Sequence, residues 1–282
     1  MGSGVATYYE RLGRWNRIAR AVGYGGGAST LTVHRALVDP RANGRVTFTR
    51  LHDLLLEQIG AGVAAPRVLD AGCGLGGTML VLAESLDATC VGLTLSPSQA
   101  ATANTEAARR QLVSRVRADV RSYDAPPAGP FDLVVAIESL AHSLDPARSV
   151  AALAATLAPG GRLIVVDDMP EPGAALSPDL TAFMRGWQCP VLWPAAAYVE
   201  GFQRAGLAVD AHIDLTAQCR PRAHGRLALL MACNRLVRRW PSDAFRQVMD
   251  SHYGGLALER LIRDGLVHYR LLVARRPELQ VS

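Results

Sequence analysis

The stretch RVLDAGCGLGGTML, Arg67 to Leu80, sets four glycines between an apolar run and the start of a helical pattern. Bare backbone at the carboxyl end of a strand lets the main chain approach a ligand closely. Outward from it, β-rich runs alternate with helical ones. After a helix from about Gly77 come TCVGLTL, a helix opened by SPSQA, a short strand ending in RADV, then FDLVVAI, a helix through SVAALAATL, and GRLIVVDD. Ser96 is the expected N-cap of the SPSQA helix, with Pro97 at its first position. LAPGG, Leu157 to Gly161, is expected to end a helix and turn into the next strand. The alternation predicts an α/β fold, a doubly wound and mostly parallel sheet with crossover helices.

Residues 1–62, ahead of this core, carry helical patterns from Tyr8 to Val22 and from Thr49 to Ile59, and read as a helical N-terminal cap segment. Residues 63–282 hold the core, with insertions at about 170–195 and 221–263 of the kind that form lids or binding loops. LVHYRLLVARR then closes the chain as a strand.

Composition narrows the function classes. At 282 residues and 49% hydrophobic, the chain can bury one substantial core. Its five cysteines, Cys73, Cys90, Cys189, Cys219 and Cys233, form no C-x-x-C pair or Cys/His cluster, so neither a disulfide framework nor a zinc site is expected. That points to a reducing, cytoplasmic setting. Charges interrupt the opening MGSGVATYYERLGRW where an export signal needs an apolar run, and no segment reaches membrane-spanning length, so no membrane partner is expected. All 30 basic residues are arginine, spread from Arg11 to Arg276 with acids between them. The dispersal argues against a nucleic-acid partner and permits an anionic small-molecule substrate.

Two ligands fit the glycines. Gly72, Gly74 and Gly77 satisfy the dinucleotide pattern G-x-G-x-x-G, while Asp70, Gly72 and Gly74 satisfy the D-x-G-x-G pattern of S-adenosylmethionine (SAM) sites. A dinucleotide places a pyrophosphate on the helix N-terminus; SAM brings a cationic methionine tail that a carboxylate such as Asp70 serves better. A dinucleotide site also wants an acid about 20 residues on, closing the second strand. Here that strand runs into GLTLSPSQ, with no acid until Glu106.

Four linked motifs, VLDAGCGLGGT, VGLTLSPSQA, FDLVVAIESLAHSLDP and LAPGGRLIVVDD, resemble those of the class I SAM-dependent methyltransferases in order and spacing. The resemblance implies their Rossmann-like fold, with an antiparallel last strand, and SAM as methyl donor. It puts Thr94 and Gln99 at the ribose, in place of the commoner acid, and Asp119 with the Val120 N–H at the adenine. Ile137 would line the methionine side. A helical N-terminal segment in this family often covers the substrate, and it implies a homodimer contact.

Methyl transfer is an in-line displacement on an activated donor, so the protein has to align a nucleophile and manage a proton. Glu138 and His142 in ESLAH follow the fourth strand, at the crevice end of the sheet. Glu138 reads as general base or as a carboxylate holding water or donor. His142, four residues on, would share its helical face and the proton, or simply pack. RLHDLLLEQIG, CPVLWPAAAY, DLT and GLVHYRLLVARR extend the resemblance to bacterial prenyl-diphosphate C-methyltransferases. That likeness implies attack by an alkene, aromatic shelter for a carbocation, proton removal by Glu138, and arginines with Mg²⁺ for the diphosphate. The aromatic candidates are Tyr8, Tyr9, Trp15, Phe183, Trp187 and Tyr198. Those for the diphosphate are His34, Arg35, Arg50, Arg220 and Arg222. The alternative acceptor is a hydroxyl of a glycosylated or aromatic natural product, and a methyltransferase fold that binds without turnover also stays open.

Overall fold

The computed structural model of the chain describes residues 31–59, 64–237 and 243–278. It opens on an extended segment and an antiparallel ribbon, β1 (Leu37–Asp39) and β2 (Arg45–Thr47), followed by α1 (Thr49–Ile59). The core then alternates as the apolar runs require: β3 (Arg67–Ala71), α2 (Gly77–Leu86), β4 (Thr89–Thr94), α3 (Pro97–Arg109), β5 (Val116–Val120), β6 (Phe131–Ile137), α4 (Pro146–Ala155) and β7 (Leu157–Pro170). Helix α5 (Pro178–Trp187) follows, then α6 (Ala195–Arg204) and β8 (Ala208–Asp214). Helices α7 (His224–Val237) and α8 (Asp243–Arg263) precede β9 (Val267–Arg275).

Seven strands form one sheet in the order β5-β4-β3-β6-β7-β9-β8. Its first five strands are parallel and β9 runs antiparallel between β7 and β8. The order reverses between β3 and β6, so ligands belong at the carboxyl ends of those strands. Alternation divides the core. One face of the sheet packs α1, α2, α3 and the cap helices α5, α7 and α8; the other packs α4 and α6.

Local chemistry starts the helices where the sequence suggests. Ser96, Asp145 and Ser177 each cap a helix by accepting a backbone N–H, with proline just inside. LAPGG differs from expectation: it is the bulged first part of β7. Leu157 pairs with Phe131 and Arg162 with Leu133, so residues 158–161 are looped out of register. Helices α5 and α8 cross at glycines. A Cβ on Gly186 would sit 2.4 Å from the Asp250 carbonyl oxygen, and the Asp179–Arg260 pair ties the same two helices.

Candidate active site

The carboxyl ends of β3, β4 and β6 open on a cavity of about 320 Å³. Gly72 forms its floor at φ +101°, and a Cβ there would lie 2.4 Å from Ser139 Cβ. The loop is pinned from beneath, where the Gly72 and Cys73 N–H groups both donate to the Leu93 carbonyl, at 3.0 and 2.9 Å. Ser139 is fixed too, its Oγ donating to the Ala71 carbonyl at 2.6 Å. Only backbone fits between them.

Asp70 is buried in this wall, and its Oδ2 has no hydrogen-bond partner. Burial pushes its carboxyl up to about 7. An orphaned buried carboxyl facing a cavity calls for a cationic group, and the ammonium of a methionine tail is one. Across the cavity, Thr94 Oγ1 donates to Gln99 Oε1 at 2.7 Å, which leaves the Gln99 amide hydrogens for an outside acceptor. The residues present therefore fit SAM: a carboxylate, a bare main chain and a polar pair.

Beyond β6 the chain turns sharply, with Glu138 at φ +48°. Its Oε1 accepts from the Arg35 N–H at 2.7 Å and from the Tyr269 hydroxyl at 2.8 Å. No bond to Oε2 is formed among the described residues. Arg35 reaches past Tyr269, its guanidinium 5.2 Å from the ring centroid, and donates to both Asp168 oxygens at 3.1 and 3.0 Å. Burial pulls the Arg35 pKa down, but Asp168 and then Glu138 outweigh it and hold the guanidinium charged. Asp168 and Tyr269 meet because they are register partners across β7 and β9.

Glu138 also borders a second chamber of about 750 Å³, which among the described residues shares with the first cavity Val33, His34, Glu138, Trp187 and Ser251. Its outer wall is made by α7 and α8, largely with apolar side chains such as Leu230, Val248 and Leu256. The arrangement is a donor-sized pocket and a larger apolar chamber that meet at a carboxylate.

The structure gathers some of the predicted residues and disperses others. Asp70, Gly72, Gly74, Thr94, Gln99, Ile137, Glu138 and His142 line the first cavity. Asp119 and Val120 end β5 outside that lining, with Asp119 paired to Arg117. His142 shares no helical face with Glu138; it ends a 3₁₀ turn, Leu140–His142, because Glu138 stands in left-handed backbone that no α-helix accommodates. Its Nδ1 faces the Gln188 carbonyl at 3.2 Å, and burial holds its pKa down.

Among the described aromatic candidates Trp187 lines both cavities, and the others line neither. Phe183 is buried one helical turn behind it, in edge contact at 5.3 Å. Tyr198 packs with Trp193 and Phe202 on the opposite face of the sheet, because the apolar stripe of α6 faces that side. Tyr8, Tyr9 and Trp15 lie outside the described residues. Of the basic candidates, His34, Arg35 and Arg222 line the second chamber. Arg50 bonds instead to Gln218 and Glu57, and Arg220 is an exposed residue; neither lines either of these two cavities. Arg222 is already bound to Glu259 at 2.8 Å. The sequence reading missed Tyr269 and Asp168; the inward alternation of LVHYRLLV and the acids closing LIVVDD are the signals that point to them.

A parallel sheet with a reversed seventh strand, and a glycine loop beside a buried carboxyl, define the class I methyltransferase architecture. Residues 69–165 match the family model described as "Methyltransferase domain". The chain is 30% identical to ajmaline N-methyltransferase of Rauvolfia serpentina over 207 residues, covering 66% of this chain and 69% of that enzyme. It is 44% identical to the chloroplastic tocopherol O-methyltransferase of Arabidopsis thaliana over 102 residues, 36% of this chain but only 29% of the plant enzyme. A geranyl diphosphate methyltransferase solved with geranyl diphosphate and sinefungin superposes with a TM-score of 0.71 at 21% identity, covering 97% of this chain and 98% of that one. This chain belongs to the class I SAM-dependent methyltransferases.

Proposed function

We propose that this chain transfers the methyl group of SAM to a largely apolar small molecule, at a hydroxyl or an activated carbon whose proton passes to Glu138. The observation that supports this most is the place of Glu138 at the seam of the two cavities, with Oε1 held by Arg35 and Tyr269 and Oε2 left over. SAM, when bound, supplies an electrophilic methyl carbon on a sulfonium, so alignment and proton removal are what the protein adds. Asp70 would hold the methionine ammonium, Thr94 and Gln99 the ribose, and Asp119 with the Val120 N–H the adenine. Trp187 offers an apolar face at the seam. His142 serves as a neutral wall.

Charge balance supports one class of acceptor. A prenyl diphosphate carries several negative charges, yet the two described arginines of the chamber are matched by Asp168 and Glu259. Burial pushes His34 down to about 4, and burial together with Arg222 lowers His252, so neither adds positive charge at neutral pH. Among the described residues no group of three or more His, Cys, Asp and Glu is placed to hold a metal ion. The balance favours an uncharged acceptor, prenylated or aromatic. A diphosphate would have to displace both carboxylates or bring Mg²⁺ with it.

The test is a panel of prenylated hydroquinones and phenols set against prenyl diphosphates of increasing length, with trideuteromethyl-labelled SAM, read by mass spectrometry with and without a chelator. Label in an uncharged acceptor at a chelator-independent rate is expected. Label confined to a diphosphate and abolished by the chelator would overturn the uncharged acceptor.

A further inference from the structure

The acceptor chamber has two polar walls. One, with Glu138 and His34, also borders the donor cavity. The other, with Arg222, Asn234, His252 and Glu259, lines the chamber but not the donor cavity. Asn234 is its most telling residue. Its side chain is turned from solvent, with the residue 4% exposed, and projects from α7 toward α8.

Both amide hydrogens of Asn234 are spoken for. The NH₂ donates to the Met249 carbonyl at 3.0 Å and lies 3.1 Å from His252 Nδ1. These contacts set the orientation of the amide, since the flipped form would turn carbonyl against carbonyl. They also require an unprotonated His252 Nδ1, in keeping with a ring that burial and Arg222 hold neutral. What remains is Asn234 Oδ1, buried and with no partner, on a residue that lines the chamber. Arg222 does not reach for it, because its main chain and its guanidinium both bond to Glu259. Buried carbonyl oxygens are nearly always satisfied, and one left unpaired beside a cavity is suited to a donor from outside the chain.

We propose that this wall is a recognition site for a hydrogen-bond-donating group, a hydroxyl or an amine, on a part of the acceptor other than the methylated atom, with Asn234 Oδ1 as its partner. The proposal rests on the reading of the chamber as the acceptor site. It makes the acceptor bifunctional: a proton-bearing nucleophile at Glu138, an apolar body along Leu230 and Leu256, and a second donor at Asn234. The second donor sets how far the molecule slides in. It thereby selects which atom meets the methyl group.

Two probes separate the possibilities, 1-octanol and 1,8-octanediol, titrated calorimetrically into the full chain saturated with S-adenosylhomocysteine. The diol, although less hydrophobic, is expected to bind at least about fivefold tighter, the scale of one added hydrogen bond. Asn234→Leu should erase that preference, and Asn234→Asp, which keeps an acceptor oxygen, should preserve it. Equal or weaker binding of the diol by the wild type overturns this inference and leaves the apolar chamber standing, as does a preference that survives Asn234→Leu. If neither alcohol binds, the acceptor chamber itself is refuted. The wild-type comparison needs no variant to fold.

Discussion

The two halves of the site are built differently. The donor half is main chain: one glycine loop, the ends of three strands, and a carboxyl left without a partner. The half proposed for the acceptor is side chain, contributed by residues 33–35, α5, α7 and α8, with Tyr269 of β9 behind, and its described cations are answered by acids. A site made of backbone has to be spelled in consecutive residues, because glycine is demanded at fixed places. A site made of side chains can be drawn from anywhere the fold brings together, and its selectivity lies in pairs.

The largest effect should come from the half that tolerates no side chain. Gly72→Ala forces a Cβ against Ser139 and a non-glycine residue to φ +101°. Backbone strain of about 1–3 kcal/mol precedes any ligand. Binding of S-adenosylhomocysteine, read by calorimetry, should fall at least about a hundredfold, and unchanged affinity would show that the loop is not the donor's floor.

Next in size is the pH dependence of the same half. Burial raises Asp70 to about 7, so below that pH its carboxyl is protonated in the free protein, and the incoming ammonium must displace the proton. Donor-product affinity should be level above pH 7 and fall by up to about tenfold per unit below it. Asp70→Asn should flatten the profile. A wild-type affinity constant from pH 5.5 to 8.5 would contradict this.

On the acceptor side, Tyr269→Phe deletes the 2.8 Å bond to Glu138 Oε1 but leaves the one from Arg35. Turnover should drop by about tenfold, in keeping with one lost bond to a charged group, while donor-product affinity stays within twofold. A full rate in the variant would mean that Arg35 alone orients the carboxyl.

The smallest effect lies at the border of the two halves. His34 Nε2 is 3.4 Å from His52 Nε2, which is 3.3 Å from Thr78 Oγ1 at the start of α2. Burial pushes both histidines down to about 4. The unfolded chain therefore binds more protons between that value and the ordinary 6.5. Their contribution is intact above pH 6.5 and is lost as pH falls toward 4. Urea unfolding across that range should be shallower for His52→Gln; identical slopes would remove the pair from the account.

This contrast also explains what the sequence disclosed. VLDAGCGLGGT and FDLVVAIES announce the donor cavity and Glu138 because each is a strand end followed by its turn, positions that one segment determines. The spacing puts Glu138 and His142 on one helical face, and the structure does not, for a local reason: the left-handed turn at Glu138, which no pattern of apolar residues reveals. Arg35 reads as a diphosphate ligand until Asp168, 133 residues away, claims its guanidinium. Tyr198 and Trp187 look alike in the sequence, and which of them faces the cavity is settled only by the face of the sheet on which each helix lands.

The most direct measurement is the pair of constants for Glu138→Gln, donor-product affinity by calorimetry and turnover of whichever acceptor the labelled panel identifies. Glutamine keeps the size and an oxygen for Arg35 and Tyr269 but cannot take a proton. Affinity within a few-fold of wild type with turnover down at least about a hundredfold is the expected outcome. A variant that turns over at the wild-type rate would contradict the placing of a proton acceptor at the seam between the two cavities.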